Sequence, residues 1–144
     1  MPPLDSPALL ADAIASLSGK LKRKLREHAT LGDLTPSQIA VLTRLEREGP
    51  ATAAKLAQAE GMRPQSMSAI IQALQAEGFL ESAPDPDDGR QLILSLTAAC
   101  RKRIAANRAA RRDWLSQAIR AKLSPAEQKQ LAAGIELINR LTET

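Results

Sequence analysis

Residues 52–77 read TAAKLAQAEGMRPQSMSAIIQALQAE. Ala53, Leu56 and Ala57 fall on one side of a short helix. Met67, Ile70, Ile71 and Leu74 fall on one side of a second, the 3.6-residue spacing of helices that each bury one stripe. Between them stands Glu60-Gly61-Met62, where Gly61 is free to take the left-handed conformation that ends one helix and turns sharply into the next. Pro64 suits the first turn of the second helix, where a missing N–H is no loss. A small Ala57 lets the two helices cross closely. The spacing predicts a helix-turn-helix. Its outward face, Gln65, Ser66, Ser68, Ala69 and Gln72, is short or amide-bearing and carries no acid, which suits base edges in a major groove. An ordinary helical hairpin with a solvated face has the same pattern, so the segment alone leaves both readings open.

The residues after this segment narrow the choice. Residues 79–83 switch to a strand-like run, and Pro84-Asp85-Pro86-Asp87-Asp88-Gly89 is dense in turn formers. From Gln91 to Leu96, Leu92, Leu94 and Leu96 alternate with Gln91, Ile93 and Ser95, as in a half-buried strand. Two strands around a polar tip directly after the second helix predict a β-hairpin wing over about 79–96, with the recognition helix over about 64–77.

On the N-terminal side, Ser6-Pro7 reads as an N-cap with Pro at the first helical position, opening a helix to about His28 lined by Leu10, Ile14, Leu17, Leu21 and Leu25. Lys20, Lys22, Arg23, Lys24 and Arg26 crowd its second half, as a solvated face or as a contact for phosphate or an anionic ligand. After a loop over 30–34, Thr35-Pro36-Ser37-Gln38 is a capping box, and its helix is expected to bury Ile39, Leu42 and Leu45 before stopping at Gly49-Pro50. On the C-terminal side, Thr97 caps a long helix to about Leu123. Ile104, Ala105, Leu115, Ala118 and Ile119 form its apolar side, and it is otherwise rich in arginine. Ser124-Pro125-Ala126-Glu127 is a second capping box, before a helix lined by Leu131, Ile135, Ile138 and Leu141. The fold expected is mainly α with a small β-hairpin wing.

The totals agree with that reading. The chain has 144 residues, 44% hydrophobic and 25% charged, as in an ordinary globular protein. Without Tyr, and with one Phe and one Trp, it lacks a stacking platform for single strands. A net charge of +4 and a pI near 9.6 permit a polyanionic partner. A single Cys excludes an internal disulfide. The start shows no basic-then-apolar signal design, and no apolar run is long enough for a bilayer, so no membrane partner and a cytoplasmic location are expected. One His, and no nucleophile motif, phosphate loop or metal-spaced cluster, argue against an enzyme and against any metal or cofactor.

The order helix, helix, helix-turn-helix, wing, long helix, final helix resembles the MarR family of bacterial transcription regulators over nearly the whole chain. Its most specific part is Asp85-Pro86-Asp87-Asp88-Gly89-Arg90 followed by Leu92-Ile93-Leu94-Ser95-Leu96-Thr97, similar to the family's wing with its Asp-x-Arg tip and Leu-Thr ending. The resemblance implies that Arg90 enters a minor groove, oriented by Asp88, and that Gln65, Ser66 and Ser68 meet a major groove, with Arg63 and Gln72 as further DNA-binding residues. It implies a homodimer on double-stranded DNA, joined by terminal helices over 1–34 and 98–144, with a DNA-binding lobe over 35–97. A repressor role is expected. So is release by a small anionic or aromatic effector between the dimer helices and that lobe, where His28, Arg108, Arg111 and Trp114 are the candidate lining residues. For His28 and Trp114, surface placement or plain packing is the other reading. Two positions depart from the family: Gly89 replaces a common second Arg at an acidic tip, and Cys100 a common Gly.

Cys100 invites a separate reading. In the first turn of a helix and followed by Arg101, Lys102 and Arg103, its thiol is expected to have a lowered pKa, which suits a redox sensor. Free Cys is also commonly a small buried hydrophobe. The rival functions are a winged-helix module that binds protein, and a sequence-independent DNA-compacting protein.

Overall fold

Three helices open on the same local device. The computed structural model describes residues 3–143. α1 (Pro7–His28), α2 (Pro36–Glu48) and α6 (Pro125–Thr142) each have Pro in the first turn and a hydroxyl N-cap. Ser6 Oγ accepts from the Leu9 N–H (3.2 Å), Thr35 Oγ1 from Gln38 (3.1 Å) and Ser124 Oγ from Glu127 (3.2 Å). Gln38 and Glu127 complete the boxes by accepting from the Thr35 and Ser124 N–H groups at 2.9 and 2.8 Å. That backbone hydrogen bond, with the Ser124 hydroxyl second, holds the Glu127 carboxyl below the usual carboxylate range.

The segment from α2 onward continues as β1 (Ala51–Thr52), α3 (Ala53–Ala59), α4 (Pro64–Ala76), β2 (Leu80–Pro84), β3 (Leu92–Leu96) and α5 (Ala98–Lys122). The strands form an antiparallel sheet in the order β1-β3-β2. β2 and β3 pair from Leu80↔Leu96 at the root to Pro84↔Leu92 near the tip. β1, which local sequence pattern does not announce, pairs Ala51 with Leu94 and Thr52 with Ile93.

Residues 31–107 make one compact unit. Its core joins Leu42 and Leu45 of α2, Leu56 and Ala57 of α3, Met67 and Leu74 of α4, and Leu94 and Leu96 of β3. Gly61 lies at φ 65°, the left-handed turn expected of it, and the Met62 N–H donates to Ala57 O at 2.8 Å. Arg44 of α2 donates from Nε to Glu60 Oε1 (2.8 Å) and from Nη1 to Glu48, tying α2 to the turn after α3. Arg103 stacks over the Phe79 ring at 4.8 Å and donates to Leu31 O, tying the loop before α2 to α5.

Several apolar residues lie elsewhere than the sequence pattern places them. Ile39 is 40% exposed and Val41 is fully buried, because the stripe of α2 that meets α4 and β3 is centred on Val41, Leu42 and Leu45. Ala53 and Ala105 are exposed. Leu92 is 54% exposed, since the hairpin extends past the core that buries Leu94 and Leu96.

The second unit joins the segment up to Thr30 with the segment from Arg108 onward. Its helices leave much apolar surface uncovered. Leu10, Leu17 and Leu21 of α1, and Leu131, Ile135 and Ile138 of α6, are all exposed. No helix among the described residues is long and apolar enough to cross a membrane.

Candidate nucleic-acid interface

α4 buries Met67, Ile71 and Leu74, which leaves Gln65, Ser66, Ser68, Ala69 and Gln72 exposed on its outer side. Arg63 is the N-cap residue, exposed, and its side chain makes no capping hydrogen bond. The helix therefore presents a row of hydroxyls and carboxamides, opened by one cation. Such groups both donate and accept, which matches the mixed pattern of base edges in a major groove.

The wing tip is built by its own aspartates. Asp85 Oδ1 accepts from the Asp87 N–H at 2.9 Å, and Asp88 Oδ1 accepts from the Arg90 N–H at 3.1 Å. The turn closes through Asp85 N–H to Gln91 O (2.9 Å) and Gln91 N–H to Asp88 O (3.0 Å). Asp88 Oδ1 also stands 3.6 Å from Arg90 Nε, although the Arg90 side chain is 95% exposed. One carboxylate thus holds the backbone of Arg90 and lies near its guanidinium. At that exposure the ion pair adds little stability.

Helix and wing share one groove: Ser68 and Gln72 line one side of it and Arg90 the other. Thr52, Gln75, Gln91 and Leu92 line it too. Sequence reasoning misses them. Alternation alone assigns Leu92 to the core, and nothing local marks Thr52 or Gln75 as facing a wing.

At the wing root, Thr97 does two things. Its Oγ1 accepts from the Cys100 N–H (3.0 Å), capping α5, and its O–H donates to Gly78 O at 2.7 Å, just beyond α4. Cys100 itself is 1% exposed and belongs to the core. Burial raises its thiol pKa, against a smaller opposing pull from Arg103 and Arg101. The lowered pKa expected from its helical position is thus corrected: loss of water outweighs the neighbouring cations, and the thiolate needed for redox sensing is disfavoured.

The candidate effector residues lie in the second unit. His28 stacks on Trp114 with ring centroids 4.3 Å apart and planes 17° apart. Arg111 Nε donates to Ala29 O at 3.2 Å. Arg108 is exposed on the same helix as Arg111 and Trp114. Among the described residues, no group of three or more His, Cys, Asp or Glu could hold a metal ion.

A helix-turn-helix with a winged hairpin, an acid-free outer helix face and an arginine-tipped wing defines a winged-helix DNA-binding protein. Comparison with known proteins gives its family. The MarR family pattern matches residues 34–92. An HTH-type transcriptional regulator of Mycobacterium bovis is 35% identical over 97% of both chains. One from Mycobacterium leprae is 38% identical over 78% of each. Among solved structures, a transcriptional regulator of Pseudomonas aeruginosa superposes with TM-score 0.80 at 31% identity, covering 97% of this chain and 99% of that one. A mutant of MepR from S. aureus, bound to an oligodeoxyribonucleotide, shares the fold with TM-score 0.71 at 20% identity, covering 93% and 98%. The chain belongs to the MarR family. It is a transcriptional regulator with a DNA-binding helix-turn-helix, and that family and these relatives are regulators rather than enzymes.

Proposed function

We propose that this chain is a cytoplasmic repressor that binds a pseudo-palindromic operator as a homodimer. Gln65, Ser66, Ser68 and Gln72 meet base edges in the major groove, Arg63 reaches a flanking phosphate, and Arg90, aimed by Asp88, enters the adjacent minor groove. The observation that carries this is the single groove shared by Ser68, Gln72 and Arg90. It sets a neutral, hydrogen-bonding helix face beside a solvated cation held by one carboxylate.

The dimer is supported by the uncovered leucines and isoleucines of α1 and α6, which form a large apolar surface for one copy of a small protein. Pooled between two copies through the helices of 1–34 and 98–144, they make a shared core. Two-fold symmetry would set the recognition helices roughly 34–36 Å apart, one turn of DNA. The stacked His28 and Trp114, with Arg108 and Arg111 on the same helix as Trp114, have the chemistry to hold a small anionic or aromatic effector.

A shift assay with a salt titration tests the reading. Arg90→Ala should weaken operator binding and flatten the salt dependence by about 0.9 for each phosphate that is no longer neutralised. Gln65→Ala should instead relax preference at one base position, by about 1–3 kcal/mol. Unchanged affinity and slope in Arg90→Ala would remove the wing from the interface.

A further inference from the structure

The groove between α4 and the wing has a volume of about 420 Å³. Its apolar lining runs from the buried Ile71 and Leu94 to the exposed Ala53 and Leu92. The carboxamides of Gln72 and Gln75 stand on the helix side, and Gln91 beside Arg90 on the wing side. Among the described lining residues none is acidic, and Arg90 is the one that is charged. A partly apolar trough with neutral donors and a single cation along its edges suits a ligand that is anionic on one side and hydrocarbon on the other.

Duplex geometry says what that ligand is. The major and minor grooves of DNA are neighbours, separated by one sugar–phosphate strand. A protein with α4 in one groove and Arg90 in the next must seat that strand between them, and this trough lies there. We infer that the trough seats one sugar–phosphate strand, with deoxyribose against Leu92 and Ala53 and phosphate oxygens accepting from the carboxamides of Gln75 and Gln91. The inference rests on the DNA-binding reading and adds residues and a mechanism to it.

The mechanism has a thermodynamic signature. Lys and Arg gain affinity by releasing condensed counterions, which makes binding salt-dependent. A carboxamide has no charge, so its hydrogen bond to a phosphate releases none. Phosphate contacts also fix position without reading sequence. Gln75 and Gln91 therefore hold any duplex, at any salt concentration, while Arg90 supplies salt-dependent affinity from the same trough. The exposure of Leu92 has its reason here: a leucine at the open end of the hairpin has deoxyribose, not protein, to cover it.

The test uses the full-length protein, an operator duplex recovered by selection against it, and a scrambled duplex of equal length, each titrated over a range of salt. Gln75→Ala and Gln91→Ala should each weaken both duplexes by the same factor, about ten-fold, with the salt slope unchanged. Gln91→Lys should steepen the slope by about 0.9 for each phosphate newly neutralised. If the alanine variants alter base preference, the trough reads bases and the inference is overturned. It is overturned equally if they bind as wild type while Arg90→Ala and Gln65→Ala are impaired, an outcome that leaves the DNA-binding reading standing. Should all four bind as wild type, that reading falls as well.

Discussion

Replacing Thr97 by Val keeps the shape of the side chain and removes its hydroxyl. Two hydrogen bonds go with it: the one Oγ1 accepts from the Cys100 N–H at 3.0 Å and the one it donates to Gly78 O at 2.7 Å. Loss of a hydroxyl N-cap is worth about 1 kcal/mol. The Gly78 bond adds roughly 0.5–1 kcal/mol, at the low end because Gly78 is exposed and water replaces the missing donor. The sum is about 1.5–2 kcal/mol, or roughly 3–8 °C in Tm for a chain of this size. Thr97→Ser keeps both bonds and should stay within about 0.5 kcal/mol of wild type. Urea unfolding at one fixed protein concentration measures both variants, since the stability of the proposed dimer would vary with concentration. A serine variant as weak as the valine variant would show that the methyl group, not the hydroxyl, matters at this junction. A valine variant as stable as wild type would refute the hydrogen-bond argument altogether.

Three further outcomes are expected. Gly61→Ala should cost about 1 kcal/mol in urea unfolding, since φ is 65° and a Cβ there would meet nothing within 4 Å, leaving backbone strain as the whole effect; Gly61→Asn should cost less. Cys100 in the folded protein should react with a thiol reagent at neutral pH only as fast as the protein opens, because its thiol is buried and its pKa raised; prompt labelling would contradict the burial. Ile138→Glu in α6 should turn the proposed dimer into monomers in sedimentation at micromolar concentration, by placing a charge on the exposed apolar stripe; a wild-type chain that sediments as a monomer would refute the dimer, and a dimer unaffected by the change would place the interface elsewhere.

The parts of this fold legible in the sequence are those fixed over three or four residues. The caps at Ser6, Thr35 and Ser124, the turn at Gly61 and the aspartate-built tip at 85–90 depend on neighbours in the chain, so residue types alone announce them. Features that depend on distant partners are not legible. β1 is two residues long and exists only because Ala51 and Thr52 meet Leu94 and Ile93. Ile39 and Val41 are both suited to a buried stripe, and only the position of α4 and β3 against α2 chooses between them. The sequence pattern sets Cys100 correctly in the first turn of its helix, but a local argument for a thiolate leaves out the core around it. Arg103 reads as one more cation in a basic run, yet it packs on Phe79 and holds a carbonyl of the loop before α2. The outer face of α4 is legible because the inner face is so plainly apolar. The trough beside it is not, since its lining runs from Thr52 to Leu94, far apart in the chain.

The hairpin is anchored at one end and free at the other: Leu80 and Leu96 are buried at its root, while the aspartates and arginine of its tip stand in solvent, joined mainly to one another. Replacing a tip residue thus disturbs almost nothing that keeps the protein folded. A change in DNA binding on replacing a tip residue can therefore be assigned to the lost contact and not to a weakened scaffold.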